Sequence, residues 1–213
     1  MPLTRKGAAT RQRIVEGAAE QIREQGVFSL RLEDVMGRTA TSKSQLFHYF
    51  PGGKDELLLA VARLEAARVI DDQQPELGSL TSRAAWHRWR DKVVARYREQ
   101  GVDCPLHVAL SGMGAATDAA RTVAGELLQQ WQQQLAAGIR HMQDSGEIAS
   151  GLDADREAAA LLAGIQGGVL ILLTTGHTTH LEAALDLGIA HLGISDRRRE
   201  PDRAHDRAQG AQS

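Results

Sequence analysis

The run Ser42-Lys43-Ser44-Gln45-Leu46-Phe47-His48-Tyr49-Phe50, followed by Pro51-Gly52-Gly53, constrains this chain more than any other stretch. It carries its own start and stop. Ser42 is placed to accept from the free N–H groups of a first helical turn, and Gln45, three residues on, to reach back and close a capping box. Pro51 lacks an N–H and biases Phe50 away from helical angles, and the two glycines after it ease a turn. A helix of this length spans about 13 Å, which suits insertion of a helix end into a DNA major groove. Leu46 and Phe50, four apart, point inward with Val35, leaving Lys43, Ser44, Gln45, Phe47, His48 and Tyr49 on the other surfaces. With the short helical pattern from Arg31 and the polar break at 39–42, the segment reads as a helix-turn-helix whose second helix meets DNA.

Charge is distributed to match. Residues 1–55 hold nine Lys/Arg against six Asp/Glu, an excess of three positive charges in a chain whose net charge is only −2. The whole is therefore no polycation. Arg5, Lys6, Arg11 and Arg13 precede the first acidic residue and read as a flexible basic arm and helix start able to touch phosphates or a minor groove.

Aromatics make up 4% of the chain, Ala, Leu, Gln and Arg abound, and period-two alternation is sparse, so an all-α protein is predicted. At 213 residues it holds a small domain and a larger one. No apolar stretch follows the early basic residues, which argues against a secretory signal, and the one cysteine excludes an intrachain disulfide and fits a reducing cytoplasm.

Helices are predicted over 54–72, 82–100, from Pro105 for a short stretch, 118–144, 153–175 and 179–192, with breaks at Pro75, Gly78, Gly101 and Gly146. The domains expected are a DNA-binding unit over 1–55, a helical effector-binding and dimerisation unit over 56–195, and a disordered polar tail over 196–213. The apolar run 158–173 falls short of a membrane span of ~20 residues. Asp153, Asp155, Arg156 and Glu157 stand just before it, so a buried helix and no membrane are expected. Gly164 and Gly168, one turn apart, would admit another backbone, with Leu161, Ile165, Val169 and Leu172 as packing surface.

Trp86, Trp89, Val93 and Tyr97 share one helical face, and Leu127, Leu128, Trp131, Leu135 and Met142 recur at near-helical spacing further on. Two readings stay open: ordinary core, or the walls of an effector pocket completed by Cys104, Leu106 and Met113. Cys104, before Pro105, is either a reactive thiolate at a helix start or a small buried wall. His177, His180, Glu182 and His191 lack a third well-placed ligand and a second shell, so no metal is expected. There is no Gly-rich phosphate loop, nucleophile elbow or paired-His metal motif, and neither a cofactor nor an enzyme activity is expected.

A first helix over 11–25, the link Gly26-Val27-Phe28, the run Leu46-Phe47-His48-Tyr49-Phe50 and then Lys54-Asp55-Glu56-Leu57-Leu58 together resemble TetR/AcrR-family regulators over about residues 10–60. Beyond that the likeness is one of length and helix pattern, save that Cys104-Pro105-Leu106 is similar to a subgroup. The resemblance implies that Lys43, Ser44 and Gln45 face base edges, that Phe47, His48 and Tyr49 lie along the groove wall and backbone, and that Lys54 holds a phosphate. Three positions depart from the family. Ala40 stands where Gly is usual in the turn, Arg31 where a hydroxyl usually heads the second helix, leaving Ser29 to cap it, and Glu33 where a base is common.

It further implies a homodimer joined through the helices at 153–175 and 179–192, acting as a repressor on palindromic double-stranded operator DNA. A small apolar or aromatic effector would bind within the larger domain, against Trp86, Trp89, Val93, Tyr97, Cys104, Met113, Trp131 and Leu135, and release the DNA through the linking helix. Two recognition helices about 34 Å apart suit such an operator. The alternative in another class is a helical ligand- or partner-binding module without sequence-specific DNA binding.

Overall fold

The computed structural model describes residues 4–100 and 118–194. All regular structure among them is helical: α1 (Arg5–Gln25), α2 (Leu32–Thr39), α3 (Lys43–Tyr49), α4 (Gly53–Asp71), α5 (Arg83–Gln100), α6 (Asp118–Asp144), α7 (Ala154–Thr175) and α8 (Thr179–His191), with 3-10 turns at Val27–Ser29 and Leu77–Ser79. Cys104, Leu106 and Met113, the short helix expected from Pro105 and the tail 196–213 lie outside the described residues.

Local signals start and stop most of these helices. The Thr4 hydroxyl accepts from Gly7 N at 3.2 Å, so α1 begins six residues before position 11. The expected flexible arm is thus corrected: Arg5, Lys6, Arg11 and Arg13 all sit on a capped helix. Gly26, at φ 83°, ends it with its N–H on Ile22 O. No side chain caps α2; Arg31 occupies the cap position without a bond, and Ser29 falls in the preceding 3-10 turn, so the expected Ser29 cap is not formed. Ala40 takes the left-handed angles φ 48°, ψ 47° that a glycine would hold more cheaply. Asp153 Oδ1 accepts from Asp155 N and Arg156 N to start α7, and Gly146 follows α6 at φ 75°.

Two apolar cores result. The first gathers Ile14, Ala18 and Ile22 of α1, Val35 of α2, Leu46 and Phe50 around α3, and Leu57, Leu58 and Val61 of α4. The second gathers Val69 and Ile70 of α4 with the buried stripes of α5 to α8. α4 therefore belongs to both cores, and Ala66 packs against each. α6 also reaches across, since Ala120 and Val123 near its start join the first core. At the crossing Glu65, fully buried, accepts from Arg23 of α1 and Arg68 of its own helix, each at 2.8 Å.

α7 is the one helix among the described residues long and apolar enough to cross a membrane by length and composition alone. In the fold it packs on α6 and α8. Its glycines serve the chain's own packing: a Cβ on Gly168 would lie 2.6 Å from Leu181 Cα, and one on Gly164 3.3 Å from Ala184 Cβ. The backbone admitted by Gly168 is thus α8 of the same protomer, and Leu161, Ile165, Val169 and Leu172 are buried within it. What α7 and α8 leave uncovered is another apolar strip, with Ala160, Ala163, Gly167, Leu170, Ala183, Leu187 and Ala190 exposed.

Candidate nucleic-acid interface and helical core

α3 is built to present its side chains. Ser42 Oγ accepts from Gln45 N at 3.2 Å, and Gln45 Oε1 accepts from Ser42 N at 3.0 Å, completing the capping box. Leu46 and Phe50 are fully buried and anchor the helix on Val35. Every other residue from 42 to 48 is exposed: Ser42, Lys43, Ser44, Gln45, Phe47 and His48. Phe47, a large apolar side chain, is 40% exposed. Tyr49 is half-buried against the first core and meets His48 edge-on at 4.9 Å. The box occupies the carboxamide oxygen of Gln45, so the side chain offers its NH2 group outward as a donor.

The cations around α3 divide between structure and surface. Arg13 Nε donates to Thr39 O at 3.1 Å, and the Arg11 guanidinium lies 5.0 Å from the Phe50 ring centroid, so both brace α1 against the helix-turn-helix. The Thr39 hydroxyl donates to Val35 O and shares a 2.9 Å bond with Thr41, satisfying the buried turn. Lys54 Nζ donates to Leu30 O at 2.8 Å, which ties the start of α4 to the loop before α2 and leaves further N–H groups available. Arg38 pairs with Glu24 and Glu20; its hydrogen bond pulls the Glu24 carboxyl below the usual range. Glu33 is exposed on α2.

In the larger core the two aromatic stripes are brought together. Trp86, Trp89, Trp131 and Leu135 are fully buried, and Val93 and Tyr97 nearly so, all in one cluster. Trp86 and Trp89 pack edge to face at 5.7 Å. Trp89 Nε1 donates to Gln73 Oε1 at 3.0 Å, and Gln73 in turn donates to Val69 O. Gln73 was not anticipated, because its partner lies sixteen residues away across a turn. Arg90 holds Asp186 with two bonds of 2.8 and 3.0 Å, and Arg98 reaches Glu182 at 2.9 Å, fastening α5 to α8. The Glu182 carboxyl is held below its usual range, first by the Thr178 hydroxyl and then by Arg98. Among the described residues no three His, Cys, Asp or Glu are grouped to hold a metal ion.

The model of the bacterial regulatory proteins, tetR family, matches residues 14–61, and that of the tetracyclin repressor-like C-terminal domain matches residues 78–187. The transcriptional regulator AcuR of Cereibacter sphaeroides is 26% identical over 168 residues, which cover 75% of this chain and 74% of that protein. A TetR transcriptional regulator from Chloroflexus aurantiacus superposes with a TM-score of 0.72 at 22% identity, covering 89% of this chain and 97% of the other. A SmeT–triclosan complex does so with a TM-score of 0.69 at 19% identity, covering 91% and 98%. At these identities the two structures speak to the fold.

Proposed function

This chain belongs to the TetR family of bacterial regulatory proteins, a transcriptional regulator with a helix-turn-helix and not an enzyme, and from that premise we propose a cytoplasmic repressor that binds a palindromic operator as a homodimer and is released by a small apolar or aromatic effector. The observation that carries the reading is α3 itself, whose Ser42 to His48 surface is exposed throughout except for its anchor Leu46. Lys43, Ser44 and Gln45 take the base edges. Phe47, His48, Tyr49 and the remaining N–H groups of Lys54 take the groove wall and phosphates. Ligand-dependent release is supported by the fully buried aromatic core around Trp86, Trp89, Trp131 and Leu135, and by a relative of the same fold solved with triclosan.

The dimer rests on the strip of α7 and α8 in which Leu170 is 62% and Leu187 72% exposed. Apolar side chains left exposed on two packed helices mark a surface to be covered. Because α4 belongs to both cores, a ligand that prefers one packing of the larger core shifts the population of recognition-helix positions. Selection of bound duplexes from a random pool at physiological salt tests the proposal: an enriched palindrome is expected. A folded, dimeric protein that enriches nothing would instead point to a helical binding module.

A further inference from the structure

We propose that the effector is a neutral molecule with a hydrogen-bond-accepting oxygen, a ketone, ester, amide or ether on an apolar body, and that Trp131 Nε1 and Gln166 Nε2 are the donors that select it. The proposal rests on the effector-binding reading above and gives it a chemical class.

Buried donors are paired almost without exception in folded proteins, so those left unpaired ask for a partner. Among the described residues of the larger core the buried side-chain atoms without any partner are all nitrogens: Trp86 Nε1, His87 Nε2, Trp131 Nε1 and Gln166 Nε2. The other two such atoms among the described residues, Gln21 Oε1 and Glu65 Oε2, are oxygens and belong to α1 and to the α1–α4 joint. The fold does supply an acceptor where one is needed for itself, since Trp89 has Gln73. An indole N–H can only donate, so Trp131 calls for an acceptor.

Trp131 and Gln166 are placed to act together. Trp131 is fully buried on the α6 stripe of Leu127 and Leu135. Gln166 interrupts the α7 stripe of Leu162, Ile165 and Val169, the face turned into the core. Asp155 of α7 is bonded by both Gln132 and Arg140 of α6, and Gln143 reaches back to Leu152 O, so the helices run antiparallel with Asp155 opposite about position 136. At 1.5 Å per residue, Gln166 then stands opposite about position 125, within ~9 Å along the axis of Trp131. Trp86 lies at the other end, beside Gly138 and Leu80. A small molecule spans the first interval.

Neutrality follows from what surrounds the pair. The residues among those described that are buried as a whole and polar or charged are Gln21, Thr39, Thr41, Glu65 and Gln73, so among the described residues no buried Lys or Arg of the larger core awaits a carboxylate, and His87, whose Nε2 is buried, stands beside Trp86 in the chain. Arg90, at its edge, is committed to Asp186. Burying an anion there without a countercharge is unfavourable.

The test uses the full chain labelled with 15N-tryptophan, whose three indole resonances are assigned by Trp→Phe substitution at 86, 89 and 131. The probes are acetophenone, α-methylstyrene and benzoate, three molecules of nearly one shape that differ in acceptor and charge, together with their naphthyl counterparts. The ketones are expected to bind at least tenfold more tightly than the other two and to move the Trp131 indole proton downfield while Trp89 stays put. Trp131→Phe and Gln166→Leu are each expected to cost the ketones about tenfold more than they cost the hydrocarbons. Equal binding of ketone and hydrocarbon in all variants would overturn acceptor selection while sparing the effector site, and tighter benzoate binding would overturn neutrality. If no probe moves an indole resonance or the melting temperature, the effector-site reading falls with the proposal.

Discussion

Gln45 does two jobs with the two ends of one carboxamide, its oxygen closing the capping box and its NH2 group facing outward. The jobs separate by substitution. Ser42→Ala should cost about 1 kcal/mol of stability by opening the box, read from the denaturation midpoint. Gln45→Glu keeps an N3 side chain able to close it and should leave stability nearly unchanged while removing the outward donor. Lys54→Ala, by contrast, should weaken binding across all sequences and flatten the salt dependence by ~1 in slope, because a phosphate contact carries no base information. An unchanged slope would leave Lys54 with only its bond to Leu30 O. Glu182 offers a pH readout. Its folded carboxyl titrates below the ordinary range, so its contribution to stability is present above that range and lost as pH falls through the lowered value. Thr178→Val, removing the largest cause, should raise the Glu182 titration midpoint measured by carboxyl NMR.

Between helices, adjacent glycines on α7 have opposite surroundings. A Cβ at Gly168 would strike the α8 backbone at Leu181, and overpacking of that kind costs about 1–3 kcal/mol, against ~1 kcal/mol gained by replacing a mid-helix glycine. Nothing lies within 4 Å of a Cβ at Gly167, so Gly167→Ala should stabilise the protomer and Gly168→Ala destabilise it in thermal melts. The Arg23–Glu65–Arg68 joint sits where α4 passes between cores. Glu65→Gln should cost roughly 1.5–3 kcal/mol, the range for bonds to charged groups, read from the denaturation midpoint. These elements also mark what a linear chain reveals. The capping box, the Pro51 stop, the Asp153 cap and the inward stripes were legible because each is written within a turn or two of sequence. The reach of Arg13 to Thr39, of Lys54 to Leu30 and of Trp89 to Gln73 was not, since each joins separate elements. The basic residues near the start looked like an arm because Thr4 as a cap gives a weaker signal than Ser42 with Gln45. Gly168 announced a close approach without saying whose backbone would make it.

In the whole molecule, the exposed strip of α7 and α8 and the exposed surface of α3 depend on one another. Two α3 helices about 34 Å apart are required to read one operator, and only a dimer provides them. Leu170→Glu with Leu187→Glu should yield folded monomers by light scattering, with operator affinity lost although every residue of α3 is intact. Whether α3 reads base edges is measured by titrating wild type and Gln45→Glu against the enriched palindrome and its single-base variants at fixed salt. Wild type is expected to prefer the palindrome to unrelated DNA by at least about 10³-fold. Gln45→Glu is expected to lose its preference at one symmetric pair of positions and to keep it at the others. An identical preference profile for the two proteins would contradict base reading by Gln45.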